Sequence, residues 1–176
     1  MIRLQPISTA DVQHYSFMEE LLIAAFPPEE YRELHELRAY TDQTENFYNN
    51  LLLDDITPIG FITYWDLGSF YYIEHFAINP SLRNGGYGKK ALQHLCKELQ
   101  RPIVLEVEPP IEEMAQRRIK FYQRQGFLLW EKEYRQPPYK AGDDFLPLHL
   151  MVYGNLVCDK DFDEIKTRIH REVYKA

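Results

Sequence analysis

A glycine-rich run near the middle of the chain carries the residue types that bind phosphate groups. It reads Arg83-Asn84-Gly85-Gly86-Tyr87-Gly88-Lys89-Lys90 and lies between an extended apolar segment and a helical pattern. The first backbone N–H groups of a helix lack partners, and glycines leave them open to an anion. A lysine in a first helical turn is unfavourable by about 0.3–1 kcal/mol, and a bound anion reverses that sign. The run therefore predicts a loop that holds a pyrophosphate, with the Arg83 guanidinium as a further donor.

The same glycines also fit a second phosphate-binding pattern. Gly86, Gly88 and Ala91 have the spacing of a dinucleotide-binding fingerprint. Glu106 follows about 20 residues later, where such folds bind a ribose. Against this pattern, residues 79–85 separate the glycines from the preceding strand, and no second nucleotide-binding half follows. Because the glycine spacing still matches, an NAD-dependent oxidoreductase remains the rival hypothesis.

Hydrophobic periodicity predicts the elements that would position this run. Their order is β-α-α-β-β-β-α-β-α-β-β-α, typical of an α+β domain with a mixed central sheet. Strands are predicted at 2–7, 46–53, 59–66, 70–78, 103–107, 127–134 and 147–153, and helices begin at Thr9, Glu29, Gly86, Glu112 and Asp159. We expect residues 1–155 to form one domain and residues 156–176 to add a helix to that same domain.

Length and composition exclude several classes of protein. With 176 residues, 45% of them hydrophobic, the chain suits a single folded domain. No run of about 18 apolar residues is present, and the first residues lack the apolar stretch of a signal peptide. Two cysteines form neither a disulfide framework nor a zinc site by themselves. We therefore expect a cytoplasmic protein without a bound metal or a membrane partner.

Charge is unevenly distributed along the chain. The net charge of −7 argues against a general nucleic-acid partner. Residues 83–135 carry a net charge of +4, which leaves −11 for the rest of the chain. This distribution suits an anionic ligand in the middle of the chain and a cationic one elsewhere, although solvated surface charges give the same pattern.

Two motifs resemble the GNAT (GCN5-related N-acetyltransferase) superfamily. The string Arg83-x-x-Gly86-x-Gly88 resembles its Arg/Gln-x-x-Gly-x-Gly/Ala pyrophosphate loop. The string Tyr122-x-x-x-Gly126-Phe127 resembles the end of its last helix-then-strand segment. The predicted element order also fits this superfamily over residues 2–153. The resemblance implies a GNAT-like fold with two splayed parallel strands and an enzyme that uses acetyl-CoA as co-substrate, without a metal.

The resemblance also implies roles for particular residues. Backbone groups of Phe76 and Ile78 would bind the pantetheine arm where strands 71–78 and 103–107 separate, and Tyr122 would protonate the leaving thiolate. The pyrophosphate would bind the loop residues Arg83, Asn84, Gly85, Gly86, Tyr87, Gly88 and Lys89. One position departs from the family pattern. Many members have an asparagine that contacts the cofactor seven residues before the tyrosine, and this chain has Ala115 there.

The reaction also needs a general base that takes a proton from the attacking ammonium. Glu74 is the first candidate, because strand alternation places it on the same face as Phe76 and Ile78. It also stands in a Glu-x-Phe run like that of some polyamine-acetylating GNAT proteins. His75 has a suitable pKa, but the same alternation places it on the opposite face, which makes it the second candidate.

The acceptor site implied by the resemblance lies between the first two helices, the central strands and the last hairpin loop. Residues 19–36 hold six glutamates and one arginine, and Asp143 and Asp144 lie in the hairpin loop. An acidic mouth would favour a cationic amine, and aromatic side chains would pack on its alkyl part. The aromatic candidates are Tyr64, Trp65, Tyr71 and Tyr72.

We therefore expect acetyl transfer to a primary amine of a small molecule or peptide, by direct attack in a ternary complex. A non-catalytic acyl-CoA-binding or regulatory module is the alternative. The terminal helix has Phe162, Ile165, Ile169 and Val173 at helical spacing, so it docks either on its own domain or on a second subunit. No pattern in the sequence decides whether the chain forms a homodimer.

Overall fold

The chain folds into seven strands and five α-helices. In the computed structural model, which describes residues 1–176, the strands are β1 (Ile2–Pro6), β2 (Phe47–Asp54), β3 (Thr57–Asp66), β4 (Tyr71–Ile78), β5 (Ile103–Val107), β6 (Leu128–Gln136) and β7 (Leu146–Tyr153). The helices are α1 (Val12–Ala25), α2 (Leu34–Gln43), α3 (Tyr87–Glu98), α4 (Glu113–Arg124) and α5 (Cys158–Glu172). Short 3-10 helices at Pro28–Glu30 and Pro80–Leu82 precede α2 and α3. The predicted element order and the α+β class are confirmed.

All seven strands belong to one mixed sheet in the order β1-β2-β3-β4-β5-β7-β6. Strands β1 to β4 form the predicted antiparallel run. Strands β4 and β5 are parallel, and they pair only between Tyr71–Ile73 and Ile103–Leu105. From His75 onward β4 pairs with β3 alone. The two central strands therefore splay apart, as the resemblance implied.

An apolar core lies on each face of the sheet. Helices α1, α2 and α5 cover one face, and α3 and α4 cover the other. The apolar residues of the terminal helix are buried in the same core as those of α1, so this helix docks on its own chain. None of the helices combines the length and the apolar character needed to cross a membrane.

The region before β2 differs from the prediction of a continuous helix from Glu29. The chain forms a short 3-10 helix, becomes extended at Tyr31 (φ −145°, ψ 159°), and begins α2 only at Leu34. Tyr31 and Arg32 are buried, because Arg32 reaches beneath this segment to the carboxylate of Glu74. The first helix also begins later than Thr9, since the side chain of Asp11 caps α1.

Candidate active site

The glycine-rich run forms an open loop at the N-terminus of α3, on the face that carries α3 and α4. Asn84 and Gly86 both adopt left-handed backbone conformations, with φ of 73° and 75°. Gly86 immediately precedes α3, where no side chain caps the helix and no acidic residue lies in the first turn. A Cβ at Gly86 would meet no atom within 4 Å, so the space beside these amides is open. The loop thus suits an anionic group such as the pyrophosphate of acetyl-CoA.

The cations of this loop are available to a ligand. Arg83, Lys89 and Lys90 are exposed, and none of them forms a salt bridge. Gly88 lies close to α4 and to the end of β4, since a Cβ there would be 3.6 Å from the ring of Phe121 and 3.8 Å from Ile78. The start of α3 is therefore held close to α4 and to the end of β4.

The second half of β4 has a free backbone edge. The N–H of Asn79 donates to the carbonyl of Ile59 on β3. Because backbone groups alternate in direction along a strand, those of Ala77 also point towards β3, and those of Phe76 and Ile78 point to the splayed side. The predicted pantetheine contacts therefore coincide with the backbone groups that lack a strand partner.

Tyr122 lies on α4, on the same face of the sheet as the glycine loop. Its ring packs edge-on against Phe121 and Phe127, with centroid distances of 5.3 and 5.5 Å. Removal from water raises the pKa of Tyr122 to about 12, so the phenol is protonated at neutral pH. Its hydroxyl is not used by any other side chain, which leaves the proton free for a ligand. Ala115, on the same helix, is buried and offers no polar group.

Glu74 is enclosed and carries four hydrogen bonds. Arg32 donates to both carboxylate oxygens, at 3.1 and 2.7 Å. The indole N–H of Trp65 donates to Oε1 at 2.8 Å and the hydroxyl of Tyr139 to Oε2 at 2.7 Å. Burial opposes ionisation of Glu74, but Arg32 and the hydrogen bonds outweigh it and lower the pKa of this carboxyl. All four acceptor positions of the carboxylate are therefore occupied.

A β-bulge changes which face the candidate bases occupy. Thr63 lies opposite His75 and Tyr64 opposite Ile73, so Glu74 has no partner on β3. The extra residue breaks the alternation, and the side chains of Glu74 and His75 both lie on the α1 and α2 face. The expectation that His75 faces away from Glu74, and that Glu74 shares a face with Phe76, was therefore wrong.

His75 is buried but keeps one ring nitrogen free. Its Nε2 lies 2.8 Å from the carbonyl oxygen of Glu30, which requires Nε2 to carry the proton when the ring is neutral. Nδ1 then has its lone pair available, and it has no partner in the chain and is not fully enclosed. The ring packs against Phe26 and stacks on Tyr139. Burial lowers the pKa of His75 below its ordinary value.

Glu106 lies on the same face, at the end of β5. Its Oε1 accepts hydrogen bonds from Tyr72, Tyr174 and Gln136, and its Oε2 accepts one from Tyr134. Burial raises the pKa of this carboxyl, against the effect of its four donors. The carboxylate faces away from α3 and its loop, so the rival assignment of Glu106 to a ribose at that loop is wrong.

These groups line one cavity at the splay, which we call the acceptor cavity. Its charged lining consists of four glutamates, Glu30, Glu74, Glu106 and Glu108, and of Arg118 from α4; its other polar residues are His75, Gln136 and Tyr139, and its apolar ones Phe26, Val107, Leu146 and Leu148. Among the expected acidic residues of the mouth, only Glu30 reaches it, and Asp144 lines a separate surface groove. Four residues of this site were not predicted from the sequence: Arg32, Gln136, Tyr139 and Tyr174. The aromatic and Pro-rich character of the hairpin loop was the one available signal.

Of the predicted aromatic residues, two belong to this side of the sheet. Trp65 and Tyr72 bind the carboxylates of Glu74 and Glu106. Tyr64 and Tyr71 pack with the α3 and α4 core on the other face. The splay thus connects a glycine loop and Tyr122 on one face with an acidic cavity on the other.

Known proteins with this fold include acetyltransferases. A protein from Bacteroides thetaiotaomicron that is assigned to the GNAT acetyltransferases is 67% identical, covers 99% of each chain and superposes with a TM-score of 0.97. The Escherichia coli ribosomal-protein-S18-alanine N-acetyltransferase has the same fold, with 21% identity, a TM-score of 0.60, and coverage of 89% of this chain and 99% of that one.

Arabidopsis thaliana NAA60, solved in complex with acetyl-CoA, also shares the fold. It is 18% identical, with a TM-score of 0.61 and coverage of 87% of this chain and 98% of that one. No curated protein sequence matches the chain. The model of the acetyltransferase (GNAT) family matches residues 14–127. Because this match spans more than half of its length, the chain belongs to the GNAT family of acyl-CoA-dependent N-acetyltransferases.

Proposed function

We propose that this enzyme transfers an acetyl group from acetyl-CoA to a primary amine of a cationic small molecule or peptide. The observation that carries the proposal is the acceptor cavity, which opens at the splay of β4 and β5. Arg32 pairs with Glu74, and the other three glutamates of the lining stand against one arginine, Arg118. The amine attacks the acetyl carbonyl directly in a ternary complex, because the two binding regions approach the splay from opposite faces of the sheet.

The residues of the glycine loop and of β4 suit acetyl-CoA. The amides before and within the first turn of α3, with Arg83 and Lys89, would hold its pyrophosphate, and the free backbone groups of Phe76 and Ile78 would bind its pantetheine arm. When bound there, acetyl-CoA supplies an activated acetyl group as a thioester. The loss of the family asparagine at Ala115 removes one side-chain contact and leaves these backbone contacts in place.

Tyr122 acts as the general acid in this proposal. Its phenol keeps its proton at neutral pH, since the pKa of Tyr122 is about 12, and no neighbouring side chain competes for that proton. It would donate this proton to the thiolate that leaves when the amide bond forms. Tyr122 stands one helical turn after Arg118, the residue of α4 that lines the acceptor cavity.

His75 is the better general base of the two candidates. Its Nδ1 offers a free lone pair to a group in the acceptor cavity, whereas every acceptor position of Glu74 is occupied. The lowered pKa of His75, caused by burial, keeps the ring neutral at physiological pH. We therefore assign the proton transfer to His75 and give Glu74 the task of holding Arg32, Trp65 and Tyr139 in place.

The charges of the acceptor cavity favour a cation. Burial raises the pKa of Glu30 above its ordinary value, and repulsion by the nearby carboxylate of Glu108 adds to this effect. A bound ammonium group relieves this repulsion. A neutral or acidic amine gains no such stabilisation.

An amine panel tests the proposal. Thiol release from acetyl-CoA is measured with spermidine, kanamycin, lysine and a peptide with a free N-terminus, and glutamate serves as an acidic control. We expect release and acetylated product with at least one of the cationic amines and none with glutamate. Acetyl-CoA that raises the melting temperature by several degrees without acetylation of any amine would instead support the non-catalytic module.

A further inference from the structure

The last residues of the chain pass beneath the acceptor cavity. Tyr174 follows α5, and its hydroxyl donates to Oε1 of Glu106 at 2.5 Å. The same hydroxyl lies 3.0 Å from that of Tyr72 on β4 and accepts a hydrogen bond from Gln136 on β6, also at 3.0 Å. One side chain thus joins the C-terminal segment to three strands around the cavity floor.

The hydrogen bonds of Glu106 are unequally divided between its oxygens. Three donors converge on Oε1, whereas Oε2 receives only the hydroxyl of Tyr134. A carboxylate offers about four acceptor positions, two on each oxygen, so the three donors crowd Oε1 and Oε2 keeps one position open. Because Glu106 lines the acceptor cavity, this open position can receive an ammonium N–H. Glu74, with both oxygens filled, cannot do so.

The C-terminal segment also reaches the neighbouring Glu74 network. The carbonyl of Val173 lies 3.4 Å from the guanidinium of Arg32, which holds Glu74. The rings of Tyr174 and Tyr139 have centroids 5.0 Å apart, and Tyr139 lines the cavity. Tyr134, Gln136 and Tyr174 lie outside residues 14–127, the region matched by the family, whereas Tyr72 and Glu106 lie inside it. Part of this floor is therefore built by residues beyond the matched region.

We propose that Glu106 binds the ammonium group of the acceptor amine and that Tyr174 is the positioning residue that fixes this carboxylate. The inference rests on the proposed amine acetylation and adds to it the anchoring group and the role of the C-terminal segment. Tyr174 holds Oε1 so that the open position of Oε2 faces the cavity. Without it, the carboxylate can turn and lose its alignment with the amine.

Titratable side chains from several strands, loops and helices surround Glu106. The hydroxyls of Tyr72, Tyr134, Tyr139 and Tyr174 face it, and Glu30, Arg32, Glu74, His75, Glu108 and Arg118 lie around the same cavity. Tyr174 lowers the pKa of Glu106, since a donated hydrogen bond stabilises the ionised form. Removal of the Tyr174 hydroxyl should therefore raise the pKa of Glu106 further.

The substitution Tyr174→Phe tests the inference, with the adjacent Lys175→Gln as the matched control. Steady-state kinetics with acetyl-CoA and spermidine should give a KM for spermidine about tenfold higher in Tyr174→Phe, the size expected for one lost hydrogen bond to a charged group. The KM for acetyl-CoA should not change. The acid limb of kcat/KM should move to higher pH, because Glu106 then protonates at a higher pH. Lys175→Gln should behave as the unchanged protein.

A measurement that does not need turnover separates this inference from the proposed function. Carbon-13 NMR follows the titration of Glu106, and calorimetry measures spermidine binding to the unchanged protein and to Tyr174→Phe. If no amine is acetylated, the proposed function fails, while weaker spermidine binding and a raised Glu106 pKa in Tyr174→Phe still support the inference. Identical spermidine affinity, no spermidine binding to the unchanged protein, or an unchanged titration with only a lower melting temperature would overturn it.

Discussion

The two halves of the candidate active site are built in opposite ways. The half on the α3 face is one continuous loop, with exposed and unpaired cations and an open space beside its amides. The half on the α1 face draws its polar groups from several strands, the segment before α2, the hairpin loop and the C-terminus, and nearly all of them are hydrogen bonded. A chemically constant ligand group needs only a short loop, whereas a cavity that selects an acceptor needs side chains held from many sides.

The largest effect should come from breaking the buried ion pair of the acceptor half. Arg32→Met leaves the enclosed Glu74 carboxylate without its cation, and we expect a loss of about 3–5 kcal/mol in the free energy of unfolding, measured by chemical denaturation. Arg38→Met removes an exposed partner of Glu19 and should change stability little. Adding Glu74→Gln to Arg32→Met should recover part of the loss; no recovery would contradict the assignment of the cost to the unpaired charge.

Removal of the free imidazole nitrogen should have the next largest effect. The amide nitrogen of His75→Gln can still donate to the Glu30 carbonyl, but the side chain cannot take a proton, so kcat should fall by about 100-fold to 1000-fold. The exposed His35→Gln on α2 is the control. In the unchanged enzyme, activity should fall as the pH drops through the pKa of His75, which burial places below 6.5. An unchanged kcat in His75→Gln would show that another group acts as the general base.

Removal of the Tyr122 hydroxyl, the proposed general acid on α4, should lower kcat by nearly as much. Tyr122→Phe removes the phenolic proton while keeping the ring packed on Phe127, and we expect kcat to fall about 100-fold with an unchanged KM for acetyl-CoA. Tyr153→Phe is a close control, because the Tyr153 ring lies 5.4 Å from Phe127, compared with 5.5 Å for Tyr122. Equal losses in the two variants would indicate a packing effect and would remove Tyr122 from the mechanism.

The smallest effect should come from the glycine loop. Gly86→Val strains a left-handed residue and places a branched side chain beside the amides of α3, so we expect the KM for acetyl-CoA to rise about tenfold, a change of about 1.4 kcal/mol. Gly142 in the hairpin loop has a similar φ of +91° and equally open space, and Gly142→Val therefore reproduces the strain alone. If both variants raise this KM equally, the loop has no special part in binding.

The same contrast explains which parts of the fold and of the candidate site could be predicted from the sequence. Local patterns sufficed for the element order, for the position of the glycine loop at the start of α3 and for that of Tyr122 on α4, because in each case the informative residues are close together in the chain. The bulge at Glu74 was not predictable, since it depends on the register between β3 and β4 and not on the alternation within β4. One unpaired residue was enough to place Glu74 and His75 on the same face of the sheet, where strict alternation predicts opposite faces.

The acceptor cavity was the least predictable part for a related reason. Arg32 and Glu74 are 42 residues apart, and Glu106 and Tyr174 are 68 apart. No spacing rule links residues at such separations. The acidic residues of the first helices suggested a cationic acceptor, yet of that group only Glu30 lines the cavity. The other glutamates of the cavity are Glu74 on β4, Glu106 on β5 and Glu108 just after β5.

The most direct test of the account is an initial-velocity study in which acetyl-CoA and spermidine are varied together and the product is identified by mass spectrometry. We expect monoacetylated spermidine and double-reciprocal lines that intersect, because both substrates must meet at the splay before any product leaves. Parallel lines would indicate an acetylated enzyme and contradict direct attack. The absence of transfer to spermidine and to every other cationic amine of the panel would contradict the assignment of the acidic cavity as the acceptor site.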